Sequence, residues 1–262
     1  MLKLVMCEFA KLKRKKFIWL AVFSAFLFPV PLTVLMTMPQ TAERYDSKIE
    51  IFNDYFQSVM GYGVELLLPC IIGVIAAMLF FMERDNDTFK NLRTIPITST
   101  QMILAKIMVL FFFGIIFSLT SAVISILCGG LIAEVNSIAY RLFFALEMGI
   151  FITAGTLPLI VLVVFFSKNY IFSVLLCVFY SVLSMTAESS FGALPKMMCW
   201  LMPIPLTTLW SAGNLIAHGT MDGAGVLENL IPTTFQAISI LAVIALLSVI
   251  VIDYMYKKRG DE

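Results

Sequence analysis

Six apolar stretches dominate this sequence, and each is long enough to cross a hydrocarbon core as a helix, which takes about 20 residues. They run over residues 17–38, 63–82, 102–132, 143–166, 171–187 and 235–256. A backbone in lipid must satisfy its own N–H and C=O groups, so the sequence predicts an all-α integral membrane protein with six transmembrane helices. Composition agrees: of 262 residues, 60% are hydrophobic and 13% are charged. Soluble domains average about 45–50% apolar and about 25% charged. A soluble enzyme and a disordered chain are thereby excluded. The net charge of +1 supplies no field to draw in nucleic acid.

The few charges set the orientation. With the N-terminus inside, fourteen of the 18 Lys and Arg residues fall on the inner side. They are Lys3, Lys11, Lys13, Arg14, Lys15, Lys16, Arg84, Lys90, Arg93, Lys106, Lys168, Lys257, Lys258 and Arg259. Only Arg44, Lys48, Arg141 and Lys196 fall outside. This bias predicts that both termini are cytoplasmic. The basic N-terminal run is not followed by a small-residue cleavage site, so the first span is expected to be retained. A seventh apolar stretch, residues 193–217, holds Pro195, Pro203 and Pro205, which break a continuous helix. It is expected to form interfacial or re-entrant helices on the outer side, held at the surface by Trp200 and Trp210. The whole chain, residues 1–262, reads as one membrane domain, with a long inner loop at 83–101 and a long outer segment at 188–234.

Three regions carry candidate function. Residues 1–16 form an amphipathic segment: Leu2, Val5, Met6, Phe9 and Leu12 recur at helical spacing among lysines. It is expected to lie in the inner interface, apolar face toward the membrane, and to contact a cytoplasmic partner. The inner loop reads as a short cytoplasmic helix. Asp85 or Asp87 can cap its N-terminus, Phe89 and Leu92 share one face, and Pro96 stops it. Thr98 and Gln101 then form a capping box for the third span, and Lys106 is expected to snorkel to the headgroups. The third region holds two carboxylates at membrane depth, Glu65 and Glu147. A charge there is costly and is a functional candidate by default. Each falls within about two turns of its expected helix N-terminus, where the macrodipole favours it. The sharper expectation is an acidic outer rim that receives a cationic peptide or drug, with Trp200 and Trp210 beside its path.

Other features are plainer. The cysteines are scattered without a metal or disulfide pattern, and the single histidine, His218, removes every motif that needs two. Pro29, Pro31, Pro69 and Pro158 lie within spans as kinks or hinges. Asp253 and Lys257 form an ordinary i,i+4 helix pair. No GxxxxGK[ST] sequence is present, so the chain has no phosphate-cradling loop of that kind.

The inner loop resembles that of type-2 ABC-transporter permeases, at Glu83, Thr88, Leu92, Pro96, Ile97 and Lys106. Asp87 stands where that family usually has Gly, and Thr98-Ser99 where it often has Ser-Arg. The N-terminal run from Glu8 to Arg14 is similar to the bacitracin-resistance and lantibiotic-immunity branch. The resemblance implies the permease subunit of an exporter in the bacterial cell membrane. It would remove bacitracin- or lantibiotic-like peptides, or amphiphilic drugs. It implies a second permease as partner and separate ATPase subunits that bind ATP and Mg, with no cofactor on this chain. Glu83, Asp87, Thr88, Phe89, Leu92, Arg93 and Pro96 would then couple to the ATPase. An enzyme reading finds no HExxH and no aspartyl or paired-glutamate motif. The alternative is a secondary transporter or channel not coupled to ATP, but no inverted repeat is visible in the sequence.

Overall fold

The computed structural model describes residues 1–13, 17–42, 44–85, 98–166, 169–221 and 225–260. Among them the only regular structure is helical, and five helices are long and apolar enough to cross a membrane. In chain order the helices are α1 (Leu2–Lys13), α2 (Phe17–Phe23), α3 (Pro29–Met36), α4 (Lys48–Ser58) and α5 (Leu67–Asp85). Then come α6 (Ser99–Ile132), α7 (Ile138–Phe165), α8 (Tyr170–Ser189), α9 (Lys196–Leu201), α10 (Pro203–Ala217) and α11 (Thr234–Gly260).

The first expected span, 17–38, is not one continuous helix. α2 and α3 are separated by a short 3-10 turn at Ser24–Phe26. The cause is local. Pro29 has no N–H to give the Ala25 carbonyl four residues back, and Pro31 lacks one as well. The freed Ala25 carbonyl finds a partner in Ser121 Oγ at 3.5 Å, and Tyr55 Oη also ties α4 to this segment by donating to the Pro29 carbonyl at 3.0 Å. Broken as it is, this segment packs along α6.

The second span begins far earlier than the expected residue 63. α4 and α5 join through a π-helical segment, Val59–Leu66, into one helix that is long and apolar enough to cross a membrane within Lys48–Phe81. Ser47 caps its start by accepting the Glu50 N–H at 3.2 Å. The stretch 39–62, between the first two expected spans, is therefore largely helix among its described residues. Its inward face carries Phe52, Tyr55 and Phe56, which periodicity alone left among polar neighbours. Pro69 stands four residues after Glu65 and cannot close an α-helical bond to its carbonyl; the π winding lies immediately before it.

α6 and α7 form the centre. Their axes approach closely at two glycines. A Cβ on Gly149 would stand 2.9 Å from the Gly114 carbonyl oxygen, and one on Gly114 would overlap the Thr153 hydroxyl. Small residues are how helices gain contact area in an apolar solvent that gives them no hydrophobic drive to associate. Pro158 lies inside α7, and nearby Tyr180 Oη on α8 donates to the Gly155 carbonyl at 2.9 Å. α8 and α11 present most of their side chains outward, while α4–α5 is mostly enclosed. At the far end from α1, Arg141 lies over the Phe52 and Phe56 rings at 4.3 and 4.6 Å. Its Nη2 donates to the side-chain oxygens of Asn53 and Asn136, fastening α4 to the α6–α7 turn.

Gly149→Val drives a side chain into the α6 backbone, and overpacking of this kind costs about 1–3 kcal/mol. The expected result is a lower Tm and a broadened gel-filtration peak in detergent. Gly192→Ala, where a Cβ meets nothing within 4 Å, leaves both unchanged.

Candidate functional site

Two polar constellations stand out in the apolar bundle, one at each end. The first is built on α1. The helix forms as expected from its periodicity, but its seating differs. Val5, Glu8 and Leu12 share the buried face, and the helix packs on the start of α6. Phe9 rests against the rings of Phe112 and Phe113. Leu2 and Met6 remain outside this contact and are exposed.

The binding partner of this face is a lysine. Lys106 does not snorkel to the surface: it is fully buried, and its ammonium donates to Glu8 Oε2 at 3.2 Å and to the Leu79 carbonyl at 2.9 Å. Phe80 offers its ring to the same ammonium at 5.4 Å. The expected snorkel fails because a carboxylate is delivered by α1, so the charge is neutralised inside the protein. Lys11 also pairs with Glu8, from the exposed side. One ammonium thus joins three elements: α1, the last turns of α5 and the first turns of α6. α6 itself starts at Thr98, whose side chain and that of Gln101 form the expected capping box. Tyr256 of α11 reaches this region, with its hydroxyl on the Met102 sulfur at 3.3 Å.

α5 and α6 are the two helices that bracket the inner loop. Glu83 lies in the last turn of α5. Asp87, Thr88, Phe89, Leu92, Arg93 and Pro96 lie outside the described residues.

The second constellation is at the opposite end, in a cavity of about 530 Å³ between the π segment, α8 and α10. Glu65 is buried there and accepts a hydrogen bond from Ser211 Oγ at 2.9 Å. Its partner carboxylate is Glu188, the penultimate residue of α8, which accepts from Thr208 Oγ1 at 2.9 Å. Thr208 and Ser211 stand one turn apart on α10, so one helical turn holds both acids. Two expectations change. Glu65 lies far from the start of its helix, at Lys48, and the macrodipole acts only within the first turn. Hydroxyls stabilise it instead. Glu147 does not line this cavity; it is half-buried on α7 and interacts electrostatically with His218. His218 in turn stacks on Tyr140 at 4.0 Å.

The tryptophans divide. Trp210 is not a surface anchor: it is buried against Phe144 and Phe151, and its indole N–H donates to Thr234 at 3.2 Å. It sits on the face of α10 that packs against α7. Trp200 is half-buried on α9, bonded to the Leu230 carbonyl, with the Lys196 ammonium 4.7 Å over its ring. Neither lines the cavity. α10 runs alongside α7, from Pro203 against Gly155 to His218 against Tyr140. Glu188 and Glu8 went unmarked as sites in the sequence. Glu188 falls just past the fifth apolar run, where the sequence turns polar, and Glu8 is one charge among many in the N-terminal run.

Residues 4–184 match the family model described as "ABC-2 family transporter protein". No curated protein matches the chain.

Lys106→Met removes one partner of a buried ion pair, a change that costs about 3–5 kcal/mol; Lys11 keeps one contact to Glu8, so the lower figure is expected. Thermal unfolding in detergent reads the loss. The double variant Glu8→Gln/Lys106→Met regains part of it, because neither charge is then left alone.

Proposed function

The chain belongs to the ABC-2 transporter family, and from that membership we propose that it is the permease subunit of an exporter for amphiphilic antimicrobial peptides or drugs. Members of this family are membrane components of ABC transporters and associate with ABC ATPase subunits. On our reading the chain spans the membrane six times, with the broken α2–α3 segment as the first crossing. Both termini are cytoplasmic, by the excess of Lys and Arg at the α1 end. α9 and α10 dip into the bundle from outside and return. Two permeases pair in the bacterial cell membrane. Bacitracin-like and lantibiotic-like peptides are the proposed substrates, and resistance or immunity the outcome.

The observation that carries the mechanism is the Lys106 junction. A coupling helix over Asp87, Thr88, Phe89, Leu92, Arg93 and Pro96 would seat in an ATPase groove, with Phe89 and Leu92 as apolar anchors and Glu83 and Arg93 as flanking charges. ATP and Mg stay on the partner. When the ATPases close, the loop moves and its two flanking helices follow. Lys106 ties those helices to one another and to α1, so a push on the loop reaches α5, α6 and α1 together. Energy is thereby passed to the bundle as a rigid-body motion.

The test is co-expression with a candidate ABC ATPase from the same genome. The wild-type permease co-purifies with the ATPase and confers tolerance to bacitracin or a lantibiotic. Phe89→Ala/Leu92→Ala reaches the membrane at the same level but loses both ATPase retention and tolerance. Substrate flux driven by an ion gradient in liposomes without ATPase would contradict the proposal.

A further inference from the structure

The cavity at the end remote from α1 is unusual for an apolar bundle. Three carboxylates line it: Asp54 is exposed, while Glu65 and Glu188 are more enclosed, and no Lys, Arg or His is among the described residues that line it. Paired acids in a low-dielectric site cannot both stay charged without a cation or proton between them. An unpaired hydroxyl lines the same space. Ser181 of α8 is 4% exposed, and its hydroxyl has no hydrogen-bond partner. A buried, unpaired polar group costs about 1–3 kcal/mol, so its presence calls for an occupant. Much of the remaining wall is apolar, from Met60, Phe144, Met185, Phe191, Leu209 and Leu215, with Asp54, Gln57 and Ser58 of the α4 end adding polar groups.

We propose that this cavity binds a primary ammonium group carried on an apolar body, with Glu65, Glu188 and Ser181 as its acceptors. An ammonium offers three N–H donors and needs no acceptor in return. A quaternary nitrogen has no N–H to give Ser181. A divalent metal takes six to eight oxygens in a tight shell for Ca²⁺, whereas this site is roomy and mostly apolar. Among the described residues no group of three or more His, Cys, Asp or Glu is placed to hold a metal. A proton alone neutralises one acid but leaves Ser181 unpaired. The volume of about 530 Å³ suits a ligand of small-drug size. The π winding beneath Glu65 fits a binding role, since such segments recur at functional sites. As a substrate class the assignment rests on the exporter reading; as a binding site it stands on the isolated chain.

The test is direct binding to the purified, detergent-solubilised full chain, with dansylcadaverine as the fluorescent primary-amine probe. Saturable binding is expected, with N-acetylated probe weaker by roughly tenfold or more for loss of the charge-assisted bonds. Glu65→Gln/Glu188→Gln shows the same loss, and Ser181→Ala a smaller loss for the amine than the double variant. If the double variant fails to elute as wild type, the acetylated probe on wild type and Ser181→Ala decide the matter. Decylamine and dihexanoyl-phosphatidylethanolamine serve as competitors: displacement by the first supports a free amine as ligand, and by the second a lipid headgroup. Displacement by neither, equal binding of the acetylated probe, or displacement by micromolar Ca²⁺ overturns the proposal. ATPase retention measured on the same preparation separates the two ideas. A chain that holds the ATPase but ignores the amine refutes the site alone, and the converse refutes the exporter reading.

Discussion

A polar group in this bundle is costly unless it finds a partner inside the protein, because the surrounding solvent for most of the chain is hydrocarbon. That constraint decides where the helices bend and where the charges go. Pro29 releases the Ala25 carbonyl and Ser121 takes it, while Tyr180 reaches across from α8 to the Gly155 carbonyl. Each such bond is modest alone. Together they fix which helices are neighbours, and so they place both polar constellations.

Charges follow the same logic with higher stakes. Lys106 is buried because α1 brings Glu8 to it, and the Leu79 backbone carbonyl of α5 also accepts from its ammonium. A buried pair adds little net stability over an apolar one, but losing either half is expensive. The junction therefore acts as a register pin that holds α1, α5 and α6 in one arrangement. At the other end the pattern is reversed. Glu65 and Glu188 are held by hydroxyls on one turn of α10, and no cation of the described residues lines their cavity. One end of the bundle is electrostatically closed and the other is built to receive charge.

The helical class and most spans were legible from apolar run lengths, and α6, α7, α8 and α11 start and end within a few residues of expectation. The capping box at Thr98 and Gln101 was legible too, since capping is local chemistry. What escaped was tertiary. The helix at 48–58 hides its buried face behind charged neighbours, so its fusion to the second span was invisible in a hydropathy run. Glu65 was found, but its partner is Glu188 and not Glu147, because α10 pulls α8 and the π segment together across more than a hundred residues of sequence. Trp210 went inward because it faces α7, and a composition rule about tryptophans cannot see which way a helix turns.

The central claim is that the segment between α5 and α6 delivers ATPase motion to the bundle. Its most direct test is a photoreactive benzoylphenylalanine placed at position 89 and irradiated in intact cells, with the adduct identified by mass. The account predicts a cross-link to a cytoplasmic ABC ATPase, abolished when that ATPase is deleted. Labelling of position 89 by a membrane-impermeant reagent added outside, or adducts with lipid alone, would contradict it.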